Sequence, residues 1–237
     1  NSIDNFLGTA RITDATITRN GTQLPFDSLV VAAVNENGVK KLTAATNEFN
    51  ATISGDYSLE ELPAAFTYLL NKYYPAYVKA PRRNPRNQNI KFDINTYYID
   101  PYLQMIDPHI SGLNNSHLVG TLNLANNRLD LTADIPQFKY RQYNFNDVKL
   151  TASGNNDSLV VTGQTNNIRI NDSLNIPLAL FKVNAHNDSS RVSIITGANQ
   201  TVEKADINAL VLTYTDGVEI EVDPSSFTIN GKLWTID

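Results

Sequence analysis

The chain has 237 residues, 41% of them hydrophobic and 18% charged, with a formal net charge of −5. That acidic balance offers no phosphate-neutralising surface and argues against nucleic acid as the main partner. Cysteine is absent, which excludes disulfides, thiol catalysis and cysteine-held metal.

The first 57 residues read as a β-meander. Asn20-Gly21 and Asn37-Gly38 are hairpin signals, because both central residues of a type I′ turn need positive φ. Phe49, Ala51 and Ile53 alternate on one face of a strand.

Residues 58–108 break that pattern. Ser58-Leu59-Glu60-Glu61 matches a capping box, and Leu62, Phe66, Leu69, Leu70 and Tyr73 follow at helical spacing. Pro63 is tolerated near a helix start and Pro75 ends the run, so an amphipathic helix is expected within Ser58–Tyr74. Its polar face carries little lysine or arginine, which favours packing on the sheet over lying in a membrane interface. Lys79 to Arg86 is a basic, proline-broken loop, Ile90, Phe92 and Ile94 mark a strand, and a short helical turn covers Pro101 to Ile106.

Residues 109–237 return to strands. Leu129, Leu131, Ala133 and Ile135 share a face, as do Val218, Ile220 and Val222. Turns are expected at Asn126-Asn127, Asp216-Gly217 and Asn230-Gly231. Asn156-Asp157-Ser158, Asn171-Asp172-Ser173 and Asn187-Asp188-Ser189 recur at intervals of 15 and then 16 residues, about two ordinary strands with their connections. A longer similarity underlies the turns: Leu24 to Ala33 matches Ile176 to Ala185, and Tyr143 to Ala152 gives a third copy. Such strand–turn–strand units cannot bury a face alone, as in stacked repeats.

Catalytic signals are missing. His109, His117 and His186 show no metal-site spacing, and two of them adjoin turns. Asp130, Asp134, Glu219 and Glu221 fall on the polar faces of strands, and nothing selects a glycosidase-like pair. The Asn-Asp-Ser turns lack the dense, glycine-punctuated pattern of calcium loops. No enzyme activity, cofactor or metal is expected. The fold class is all-β with a minor helical insertion: an elongated antiparallel meander curled into a groove or open sandwich. Its three stretches, 1–57, 58–108 and 109–237, form one continuous unit. The ends of the chain read as cuts in a longer protein.

Three stretches carry a family resemblance: Val148-Lys149-Leu150; Asn171 through Pro177; and Pro224 through Ile236, which includes Phe227, Asn230-Gly231 and Trp234. With Gly55 through Pro63 and the helix ending Tyr73-Tyr74-Pro75, the chain resembles the TamB-type translocation and assembly module proteins of Gram-negative envelopes, among the AsmA-like and bridge-type lipid-transfer proteins. The resemblance implies a periplasmic segment of a parent anchored in the inner membrane. It also implies an outer-membrane assembly-type barrel as partner through that parent, and roles in phospholipid movement or outer-membrane protein assembly along an apolar groove. The helix departs from the plainest groove pattern.

An elongated sheet with little cover leaves an apolar trough, which suits phospholipid or acyl chains because they need no directional contacts. Leu122, Leu124, Leu129, Leu131, Leu159, Val161, Ile168, Ile170, Val192, Ile194, Val218 and Ile220 are the candidate lining. Open sheet edges also imply an edge-strand homodimer of the isolated chain. The alternative is a β-sandwich surface adhesin or glycan-binding module, for which the clusters Tyr73, Tyr74, Tyr77 and Tyr97, Tyr98, Tyr102 would serve. A glycoside-processing enzyme ranks third.

Overall fold

The computed structural model describes residues 3–19, 21–169, 175–197 and 202–236. After a 3₁₀ turn at Ile3–Asn5 come β1 (Gly8–Arg19), β2 (Thr22–Glu36), β3 (Val39–Ala45), β4 (Phe49–Asp56), α1 (Leu62–Tyr73) and β5 (Asn89–Thr96). Next are α2 (Asp100–Ile106), β6 (Ile110–Ser111), β7 (His117–Asn123), β8 (Arg128–Tyr140), β9 (Tyr143–Gly154) and β10 (Leu159–Arg169). The chain then continues through β11 (Asn175–His186), β12 (Ser189–Thr196), β13 (Val202–Thr213), β14 (Val218–Val222), β15 (Ser225–Ile229) and β16 (Lys232–Ile236).

All sixteen strands belong to one antiparallel sheet, open at both edges. Its order follows the chain from β1 to β13, with β6 set beside β8 in line with β7. β14 and β15 lie end to end along β13, and β16 pairs with β15. The sheet runs without a break through residues 57 and 108, because β4 bonds to β5 and β5 to β7.

The Asn37-Gly38 and Asn230-Gly231 turns form as their backbone chemistry requires, while Asn20 lies outside the described residues. Asn37 and Gly38 have φ of 54° and 83°, and Asn230 and Gly231 have 50° and 72°. The Asn-Asp-Ser interval, however, spans one strand rather than two. β9, β10 and β11 are 12, 11 and 12 residues long, well above the usual five or six. Asn156 and Asn187, whose triplets stand two intervals apart, share one end of the sheet, while Asn171–Ser173 lies outside the described residues. The three similar segments are β2, β9 and β11, which run in the same direction and bury the equivalent alanines Ala33, Ala152 and Ala185.

α1 is shorter than Ser58–Tyr74. Pro63 occupies its first turn, and it closes where the Tyr74 N–H reaches the Leu70 carbonyl, one residue before Pro75. The capping box is not used. The Ser58 hydroxyl donates to Asp4 Oδ2 at 2.6 Å and the Leu59 N–H to Asp4 Oδ1 at 2.6 Å, so the 3₁₀ turn supplies the acceptor. Ala65, Leu69 and Tyr73 are buried, whereas Phe66 and Leu70 of the expected stripe are exposed. The stripe is rotated because the sheet takes the 65/69/73 face.

Candidate functional site: an apolar trough along the sheet

Register turns the alternating strands into rows that cross the sheet. One row joins Gly8, Ala33, Leu42, Ile53, Phe92, Gly120, Leu131, Ala152, Val161, Val183, Val192, Ala209 and Val222, each opposite the next. It contains no polar side chain. At about 4.8 Å between strands, these thirteen strands give a row roughly 60 Å long. The parallel row from Ala10 through Val31, Ile94, Leu150 and Phe181 to Ile207 is apolar as well.

At two places in these rows a glycine stands opposite a phenylalanine. Gly120 faces Phe92 and Gly163 faces Phe181, and each ring lies where a glycine Cβ would stand. The aromatic side chain fills the gap left by its partner.

Two insertions cover parts of this face. α1 lies over one end of the strands, where Leu69 and Tyr73 join Ile90, Leu122, Leu124, Leu129 and Leu159 in the core. Polar contacts fix its far end: Tyr73 Oη donates to the Asn155 carbonyl at 2.7 Å, and Tyr74 Oη bonds Ser190 Oγ at 2.9 Å. The Asp188 N–H donates to the Tyr73 carbonyl at 2.7 Å, and the Ala76 N–H to Asp188 Oδ1 at 2.9 Å. Burial raises the Tyr73 phenol above its ordinary pKa. The second insertion, α2 with β6, runs along the opposite end of the strands, where Ile110 pairs with Tyr140.

Beside that second insertion the trough deepens. In β8, β9 and β10 the inward positions step by three residues instead of two: Ile135 to Phe138, Val148 to Phe145, and Thr165 to Ile168. The step falls at Pro136 in β8 and at Asp147 in β9, whose φ is 51°. Pairing register is kept across it, so neighbouring strands kink along a common line. The kink and Leu113 enclose a cavity of about 350 Å³ lined by Leu113, Ile135, Phe138, Phe145, Val148, Leu150, Thr165, Ile168 and Phe181. Thr165 is its one polar residue, and its hydroxyl donates away to the carbonyls of Asn146 and Asn167 at 2.7 and 3.1 Å. The rings of Phe138 and Phe145 stack at 5.8 Å.

The other face carries most of the polar side chains of the sheet, with Val119, Leu180 and Ile195 exposed among them. Thr132, Thr151 and Thr162 stand in one row, Lys149 reaches Asp134 at 3.3 Å, and Asp130 binds Arg128 and Ser153. The Arg128 and Ser153 hydrogen bonds lower the Asp130 pKa. Two depressions of about 500 and 690 Å³ lie here. They are larger than the apolar cavity but shallower, and hydroxyl and charged groups face them. His109 contacts Asp107, His117 contacts Asp93, and His186 contacts the Asp157 carbonyl. Among the described residues no three potential ligands gather as a metal site, and no helix is long and apolar enough to cross a membrane.

The candidate lining residues divide into groups. Leu122, Leu124, Leu129 and Leu159 are buried with α1, and Leu131 and Val161 pack against that cluster, so helix rather than ligand occupies this end. Ile168 lines the cavity. Val192 and Ile194 are half-buried in the rows, and Val218 and Ile220 are exposed on β14. Ile170 lies outside the described residues. Sequence periodicity missed Leu113, Phe138 and Phe145. The latter two sit beyond the three-residue step, and that step at Pro136 and Asp147 is the signal that could have found them. The tyrosine clusters are split as well: Tyr73 is buried and Tyr74 bonded, while Tyr77, Tyr97 and Tyr98 are exposed. No family model, curated protein or solved structure matches the chain.

Proposed function

We propose that this chain is a non-enzymatic length of a TamB-like cell-envelope protein whose trough holds phospholipid acyl chains. The observation that carries this reading is the apolar cavity lined by Ile135, Phe138, Phe145, Val148 and Ile168, beside an apolar row from Gly8 to Val222 whose middle, Leu42 to Val161, lies against the α1 cluster. An acyl chain gains about 0.8 kcal/mol for each buried CH₂ and asks for no hydrogen bond. A client strand needs free backbone partners, and the trough floor presents side chains only, so acyl chains fit it better than an assembling strand. The setting that goes with this reading is the periplasm, within a parent anchored to the inner membrane and meeting an outer-membrane barrel. The glycan-binding alternative loses support because the tyrosine clusters are divided between core and surface.

Native mass spectrometry with lipid extraction tests the proposal on chain purified from a bacterial host. Phospholipid should co-purify, and filling the cavity with Ile135→Phe and Val148→Phe should reduce it while the fold is kept. Chain free of lipid, or lipid content unmoved by filling, would refute the reading.

A further inference from the structure

The apolar rows end exposed at β1. Among the described residues no strand covers its outer edge, and Ile12 and Ile17 are 47% and 42% exposed. The opposite side of the sheet is protected differently, by short strands. β14 and β16 have five residues each against twelve in β1, and β14 carries Glu219 and Glu221. Short edges resist pairing; β1 carries Arg11, Asp14 and Arg19, but its length leaves a long row of backbone groups open to a partner strand.

The kink in β1 decides which partner fits. Asp14 has a φ of 52°, and the inward side passes from Gly8, Ala10 and Ile12 to Ala15 and Ile17, following Ala33, Val31, Leu29, Phe26 and Leu24 of β2. Antiparallel pairing demands that directly opposite residues share a face. A second β1 satisfies this when the two-fold axis passes between Thr13 and Asp14. Gly8 then faces Arg19, Ala10 faces Ile17, Arg11 faces Thr16, and Ile12 faces Ala15. Inward residues meet inward residues at every position, and the two kinks coincide at the axis.

We infer that β1 is a self-complementary edge through which two copies of this chain join in a two-fold dimer. The two-fold axis is perpendicular to the sheet, so both apolar faces lie on the same side, and Ala10 and Ile12 of one copy meet Ile17 and Ala15 of the other. This inference does not rest on acyl-chain binding, because it uses only the edge and its register.

The register gives a charge test. Thr16 and Arg11 are exposed on the polar side and face Pro25 and Val30 within the chain, so substitutions there leave the fold intact. Thr16→Arg sets arginine against Arg11 of the second copy twice, and Thr16→Glu sets glutamate there twice. Sedimentation equilibrium over a concentration series should show a dimer that Thr16→Arg weakens and Thr16→Glu tightens, each by about 2- to 30-fold. Arg11→Glu added to Thr16→Arg should restore it. A monomer at every concentration, or a dimer constant indifferent to both charges, would overturn the inference. Lipid content, measured separately, reports on the trough alone.

Discussion

Gly163 stands directly opposite Phe181, whose ring occupies the place a Gly163 side chain would take. A glycine that weakens a strand in isolation here makes room for the largest side chain of its row. At this pair the apolar floor is fitted side chain to gap. Gly163→Val should drive the ring off its site and cost about 1–3 kcal/mol by overpacking, read as a lower urea midpoint with unchanged slope.

α1 is bound to the sheet by packing first and hydrogen bonds second. Leu69 is fully buried, so Leu69→Ala should cost about 2–5 kcal/mol. Tyr73→Phe keeps the ring but removes the bond to the Asn155 carbonyl, and should cost about 1 kcal/mol. Thermal unfolding of the two variants should keep that order. Equal losses would mean that α1 hangs on its polar contacts.

Asp4 ties the amino-terminal turn to the approach to α1. Burial pushes its pKa up, but the hydrogen bonds from Ser58 and Leu59, helped by Lys40 and Arg86, bring it below the ordinary carboxylate value. A carboxylate depressed in the folded state stabilises above its unfolded pKa, and loses that contribution as pH falls through the folded one. The wild-type chain should therefore lose stability below about pH 4. Asp4→Asn should be less stable at neutral pH and lose less over the same acid range, as chemical denaturation at a series of pH values will show.

Much of this was legible in the sequence, and the failures share a cause. Leu129, Leu131, Ala133 and Ile135 alternate because one face of β8 is buried, and Asn37-Gly38 could only be a tight turn. The strands are longer than the Asn-Asp-Ser interval suggested: β9, β10 and β11 have 12, 11 and 12 residues, so a single strand fills the interval. The capping box failed because Ser58 found Asp4, 54 residues away in sequence. Phe138 and Phe145 were lost because a kink changes the inward step from two residues to three, and Pro136 and Asp147 look like turn residues when read alone. Nothing in the local pattern marks Leu113, which reaches the cavity from an insertion.

Acyl chains in the trough are the central claim, and site-directed photocrosslinking tests it most directly. A benzophenone amino acid is placed at Phe138, in the cavity, and in a second variant at Thr132, on the polar face, and each chain is irradiated after purification with its native lipid. Phospholipid adducts at Phe138 and none at Thr132 are the predicted result. Adducts at neither position, or equal adducts at both, would contradict an acyl-chain trough.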